Sequence, residues 1–134
     1  MNHEHFMDLA LAEAKKAFEI GEVPIGAVVV RGDEVIALAH NHRETAKNAL
    51  GHAELLAIDE ACKKLGGWRL IGCTMYVTLE PCLMCAGAII NSRIERLVYA
   101  TRDPKAGAVD SLYDVLRDSR LNHQVEGIEG VLAE

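Results

Sequence analysis

The sequence lacks any apolar run approaching the about 20 continuous residues that a membrane-spanning helix needs. Its opening stretch lacks the order of a signal peptide, because Glu4, Asp8, Glu13, Lys15 and Lys16 are scattered among its apolar residues. Both absences point to a cytoplasmic protein with no membrane partner. A surplus of positive charge is also missing. With 14 basic and 20 acidic residues the net charge is −6, which argues against a broad, sequence-indifferent grip on a polyanion and leaves room only for a local basic rim. Repeats, low-complexity tracts and Pro/Ser-rich linkers are absent as well, so residues 1–134 read as one domain. Half of the residues are hydrophobic, and a chain of this size buries about two-thirds of its unfolded surface without a disulfide framework. Cysteine is sparse. In a cytoplasmic chain, four cysteines are better explained as metal-binding, catalytic or free than as disulfides.

What is present alternates between two periods. Met7, Ala10, Leu11, Ala14, Ala17 and Phe18 fall at helical spacing and predict an amphipathic first helix ended by Gly21. After Pro24, the β-branched run Ile25 to Val30, the turn Arg31-Gly32-Asp33 and the segment Val35 to Ala39 predict a hairpin. Ala53 opens a second helix, with Leu55, Ile58, Cys62 and Leu65 in helical period until Gly66-Gly67. Met75 to Leu79 reads as a buried strand. Pro81 suits a first helical position, so an almost wholly apolar helix is expected from Cys82 to about Ile90. Such a helix is buried on most sides, in the core or against a partner. Leu97 to Ala100 predicts another strand, Leu112 to Leu116 a short helix, and Val125 to Ile128 a last strand. The fold class expected is α/β: a three-layer α/β/α sandwich around a central mixed sheet.

The chemistry concentrates in His52-Ala53-Glu54 and, 30 positions after His52, Cys82-Leu83-Met84-Cys85. Three apart on a helix, Cys82 and Cys85 share one face. In a first turn, the open N–H groups and the helix dipole favour thiolate. Two thiolates and an imidazole suit zinc, and three protein ligands leave the fourth tetrahedral position for water. Glu54 converges on such a site only if the metal lies off the end of the helix that begins after Gly51. Because two thiolates leave the zinc nearly neutral in charge, a carboxylate able to take the water's proton becomes more necessary. Other readings stand beside this one. A Cys-x-x-Cys can be half of a structural zinc site or a redox pair. A fourth ligand from His40, His42 or Cys73 could close the shell, giving a non-catalytic, zinc-stabilised binding module.

Several longer stretches carry a resemblance. Residues 77–89 (VTLEPCLMCAGAI) and Ser92-Arg93-Ile94, with 21–27 (GEVPIGA), His40-Asn41, Trp68-Arg69-Leu70, Asp103-Pro104-Lys105 and Asn122-His123, closely resemble the bacterial tRNA-specific adenosine deaminases of the cytidine deaminase superfamily. The paired His-x-Glu and Pro-Cys-x-x-Cys is the zinc-deaminase signature. The resemblance covers nearly the whole chain. It implies a cytidine deaminase-like fold with five strands and one zinc ion per subunit on His52, Cys82 and Cys85, with no organic cofactor. It implies conversion of adenosine to inosine at the wobble position of a tRNA anticodon loop, by zinc-activated water attacking C6 of a flipped-out adenine. Glu54 would carry the proton to N1 and then to departing ammonia. Asn41 matches the asparagine that hydrogen-bonds the flipped base, and Asp103 lies in a loop that approaches the substrate backbone. A homodimer is implied too. An alternative within the same chemistry is a free base, nucleoside or nucleotide as substrate: guanine, cytosine or deoxycytidylate.

The chain departs from that family pattern in places. Gly51 stands where Ala is frequent, a small change expected to leave the site intact. Ala108-Val109-Asp110 replaces a Gly- and Ser-rich pattern, and a basic final helix is expected to be missing after Glu134. Among the remaining candidates, Cys62 reads as a buried structural thiol, and Lys63-Lys64 as the polar end of a helix. His3 and His5 read as frayed terminal residues, and His42 and His123 as solvated loop residues. Arg93, Arg102, Lys105, Arg117 and Arg120 could form a basic rim for phosphates.

Overall fold

The computed structural model describes residues 2–132. Five strands form one sheet in the order β2-β1-β3-β4-β5: β1 (Gly26–Arg31), β2 (Glu34–His40), β3 (Cys73–Leu79), β4 (Arg96–Thr101) and β5 (Glu126–Glu129). The β1–β2 and β1–β3 pairs are antiparallel, whereas β3–β4 and β4–β5 are parallel, which makes the sheet mixed as expected. Both faces are covered. Because successive strand residues point to opposite sides, Val28, Val30, Tyr76, Val98 and Ala100 meet one helix, α1 (His3–Glu19), through Phe6, Met7 and Ala10. Ala27, Val29, Met75, Val77, Leu97 and Tyr99 meet α2 (Ala53–Leu65) and α3 (Leu83–Asn91), through Ala53, Ala57, Ala61, Ala86 and Ile89. The result is the three-layer α/β/α sandwich. None of the helices is long and apolar enough to cross a membrane, among the described residues.

Two close approaches aim these layers. Gly26 lies directly under α1. A Cβ there would run into the Ala10 carbonyl oxygen and come within 2.6 Å of Ala14 N and 2.8 Å of Glu13 Cβ. The connection from β3 to the parallel strand β4 passes through α3, so the carboxyl end of β3 and the amino end of α3 form one tight corner. In open α/β sheets, ligands bind outside the carboxyl ends of strands.

Some expectations fail for physical reasons. Leu112 to Leu116 is a bend followed by irregular chain, not a helix. The N–H groups of Leu112 and Val115 go to the carbonyls of Gly107 and Ala108, so no i to i−4 ladder forms there. The third helix starts one residue later than its proline suggested: Cys82 is its N-cap, in extended conformation at φ −76° and ψ 177°, with Pro81 outside. Phe18 is 70% exposed and packs in neither core. Strands β1 and β5 each begin one residue beyond the expected starts, Ile25 and Val125. His3 is inside α1, where its Nδ1 lies 2.7 Å from the Tyr76 hydroxyl. His123 is also engaged, with Nε2 2.7 Å from the Ile94 carbonyl oxygen. Cys62 is only partly buried.

Candidate active site

Three elements converge at the carboxyl end of β3. His52 is the N-cap of α2, extended at φ −82° and ψ 143°, and Cys82 is the N-cap of α3 in the same conformation. An extended N-cap throws its side chain off the helix end, and this allows His52 and Glu54, two apart in sequence, to approach one point. Asn41, at the end of β2, holds the turn. Its Oδ1 accepts the Ala53 N–H at 2.8 Å, taking the cap role that His52 leaves vacant. Asn41 is buried, and its amide nitrogen makes no hydrogen bond among the described residues, so a donor remains.

His52, Cys82 and Cys85 offer ligand atoms that all lie within 4.8 Å of one another. His52 Nδ1 is 3.9 Å from Cys82 Sγ and 3.5 Å from Cys85 Sγ. Zinc bonds of about 2.3 Å to sulfur and 2.0 Å to nitrogen, at tetrahedral angles, put N and S about 3.6 Å apart. The donor set and its spacing therefore fit a zinc ion. His40, His42 and Cys73 do not belong to the cluster. His40 Nδ1 is 2.9 Å from Glu13, His42 Nδ1 is 3.1 Å from the Thr45 hydroxyl, and the Cys73 thiol faces the Ile71 carbonyl. Among the described residues the cluster thus offers three candidate ligands and no fourth.

The charges are polarised accordingly. The Cys82 thiol is brought down to about 5, first by the Cys85 thiol that hydrogen-bonds it and then by the Cys85 and Met84 amides of the open first turn, against the cost of burial. Cys85 is driven strongly upward, because it donates to Cys82, is buried and faces the Glu54 carboxylate. Glu54 is 4% exposed, and its Oε1 is buried with no hydrogen-bond partner among the described residues. Burial, with the Cys82 charge adding to it, raises its pKa to about 7. An orphaned buried carboxylate oxygen beside three metal-type ligands is a costly arrangement. It is relieved by keeping the proton, or by a cation or a hydrogen-bond donor beside it.

Asp103 stands on the other side of the corner. Its Oδ1 accepts the Lys105 and Ala106 amides at 3.0 and 3.3 Å, which closes the turn after β4. Two buried carboxylates that the sequence did not single out hold the neighbouring segments. Glu80 accepts the amides of Asp103, Val109, Asp110 and Ser111, and lies far below the usual carboxylate range, at about 2, because these donors outweigh its burial. Glu22 accepts the Glu44 and Thr45 amides at 3.2 and 2.6 Å. The sequence signal for Glu80 was a lone acid between an apolar strand and a proline.

The expected basic rim is largely neutralised. Arg102 pairs with Glu129 at 2.6 Å, Arg117 with Asp114 at 2.9 Å and Arg120 with Asp118 at 2.7 Å. Arg93 lies over Trp68, 5.6 Å from the ring centroid, and Arg69 lies 4.3 Å from the same ring.

Known proteins resolve the family. A model of the MafB19-like deaminases matches residues 1–134. The tRNA-specific adenosine deaminase of Bacillus subtilis (strain 168) is 57% identical over 98% of this chain and 81% of its own length. The chain belongs to the tRNA-specific adenosine deaminase family. A solved structure from work on A-to-I editing by tRNA:A34 deaminases at the wobble position of transfer RNA has a TM-score of 0.92 at 46% identity, over 96% of this chain and 94% of that one. A guanine deaminase structure from Bacillus subtilis is similar at TM-score 0.73 and 40% identity, over 76% of this chain and 66% of that one. These deaminases share the fold of this family member, in agreement with the fold expected from its motifs.

Proposed function

We propose that this protein deaminates adenosine at the wobble position of a tRNA anticodon, adenosine and water giving inosine and ammonia. One observation carries the proposal: a ligand trio spaced for zinc beside the buried Glu54, whose Oε1 has no hydrogen-bond partner among the described residues, in a chain 57% identical to a tRNA-specific adenosine deaminase. In this reading His52 Nδ1, Cys82 Sγ and Cys85 Sγ hold one zinc ion per subunit. When bound, zinc supplies Lewis acidity that makes water a nucleophile near neutral pH. Glu54 accepts one proton of the attacking water and passes it to N1 of adenine, then takes the remaining proton from the new C6 hydroxyl and delivers it to the amine, which leaves as ammonia while the C6 carbonyl forms. Burial raises the Glu54 carboxyl above its ordinary range in the metal-free protein, and a bound cation would bring it back toward the proton-accepting form.

The adenine is flipped out of its loop to reach the site. The spare amide N–H of Asn41 suits a ring-nitrogen acceptor such as adenine N7. Asp103, at the turn after β4, meets the substrate backbone. A cytoplasmic setting fits a tRNA substrate. A homodimer is supported by α3, which leaves Leu83 and Met84 on the surface, 49% and 37% exposed.

The likeness to a guanine deaminase favours a second reading, the same chemistry on a free base. The discriminating assay incubates zinc-loaded protein with an arginine-tRNA anticodon stem-loop, adenosine, cytidine and guanine, and measures inosine and ammonia. Turnover of the stem-loop is expected. Product from the free bases or nucleosides alone would overturn the tRNA assignment.

A further inference from the structure

Glu80 sits immediately before Pro81-Cys82, yet it contributes no metal ligand; its carboxylate turns instead to the segment after β4. It is 2% exposed. Oε1 accepts the Asp103 N–H at 3.0 Å and the Ser111 hydroxyl, and Oε2 accepts the amides of Val109 at 2.9 Å, Asp110 at 2.6 Å and Ser111 at 2.9 Å. Backbone bonds reinforce the clasp. Glu80 N–H donates to Thr101 at 2.9 Å, and the Pro81 carbonyl accepts Ala108 N–H at 2.8 Å. Gly107 lies against the carboxylate, where a Cβ would strike the Glu80 side chain and come within 2.6 Å of the Asp103 carbonyl oxygen. The segment from Asp103 to Ser111 makes no regular structure of its own. One side chain thus ties both of its ends to the corner that carries Cys82.

We propose that Glu80 is a positioning residue: its carboxylate clasps residues 103–111 to the Pro81-Cys82 corner and so fixes where Asp103 meets the substrate RNA. This rests on the proposed tRNA substrate and on the substrate role of Asp103. A carboxylate is required because both oxygens face donors. A glutamine would turn an NH2 group toward N–H groups in either orientation.

The test uses the full chain loaded with zinc, as wild type, Glu80→Gln and Gly107→Ala. Gly107→Ala displaces the carboxylate without removing it, and serves if Glu80→Gln does not fold. Zinc content, kcat and KM on the anticodon stem-loop, and amide exchange at residues 107–111 are measured. Both variants are expected to keep zinc and to hold kcat within about threefold. KM should rise about tenfold or more, the scale of one lost charge-assisted contact. Exchange at Val109, Asp110 and Ser111 should accelerate while the β1 and β3 amides stay protected. Unchanged KM despite accelerated exchange, or unchanged exchange in Glu80→Gln, would overturn the proposal. If wild type forms no inosine, the substrate reading fails separately, and exchange still reports on the clasp.

Discussion

Replacing Glu54 by glutamine keeps the side chain's shape and removes its proton chemistry, and the consequences run in opposite directions for activity and stability. Loss of a general acid–base costs about 10² to 10⁴ in rate, so kcat on the anticodon stem-loop should fall at least 100-fold with zinc retained. Stability of the metal-free protein should rise. The folded pKa of Glu54 is about 7, against an ordinary value of 4.5. Between those two pH values the unfolded chain gives up this proton while the folded chain keeps it. Stability therefore falls as pH rises from 4.5 to about 7, and it levels off above that. A shift of this size corresponds to roughly 3 to 4 kcal/mol, or on the order of 12 °C in Tm for a chain this long. Glutamine carries no such penalty. Thermal unfolding of chelator-treated wild type and Glu54→Gln at pH 5 and pH 8 should show the variant gaining at pH 8 and converging with wild type at pH 5. Zinc should narrow the gap, since a cation beside a carboxyl group lowers its pKa. Equal stability at both pH values in the metal-free proteins, or unchanged kcat, would refute the placement of Glu54.

Other consequences are as direct. Zinc binding at pH 7 should release about one proton or more per chain, because Cys85 is held as a thiol and must ionise, while Cys82 is already largely thiolate; calorimetry in buffers of differing ionisation enthalpy reads the number, and no release would contradict the charge assignment. His52→Ala should lose zinc affinity, checked by metal content after dialysis against chelator; full occupancy would remove His52 from the ligand set. Gly26→Ala should cost about 2 kcal/mol or more in unfolding free energy, since its Cβ would meet the Ala14 amide at 2.6 Å and force α1 off the sheet; a denaturant midpoint within error of wild type would show that α1 yields freely.

How much of this was legible in the sequence depends on distance along the chain. Local period exposed α1 and α2, because each buries one side against the sheet, and the β1–β2 hairpin showed as an apolar β-branched run and a turn, β1 being buried on both faces. The clustering of His52, Cys82 and Cys85 was legible as well, since few chemistries use His-x-Glu and Cys-x-x-Cys together. Glu80 was not, because its partners lie 23 to 31 positions later and only the folded corner brings them to it. Residues 112–116 read as a helix because their apolar spacing is visible, while the loop bonds from Leu112 N–H to Gly107 and from Val115 N–H to Ala108 are not. Phe18 fell on the apolar stripe of α1, yet a helix end overruns the sheet it covers, and the period carries no information about where the sheet stops. Arg102 looked like part of a phosphate rim because its carboxylate partner Glu129 is distant in sequence, whereas Arg117 and Arg120 pair with the nearby Asp114 and Asp118, which the reading of a basic rim passed over. Gly51, read as a small departure from the family pattern, packs against the Arg43 backbone, where a Cβ would come to 2.8 Å from its nitrogen.

The measurement closest to the centre of the account is zinc-edge X-ray absorption on protein loaded with one zinc ion per chain. Two sulfur scatterers at about 2.3 Å, one imidazole nitrogen and one light, exchangeable oxygen are expected. A fourth protein ligand in the shell, or a first shell lacking the two sulfurs, would contradict the assignment of His52, Cys82 and Cys85 as an open site for hydrolysis.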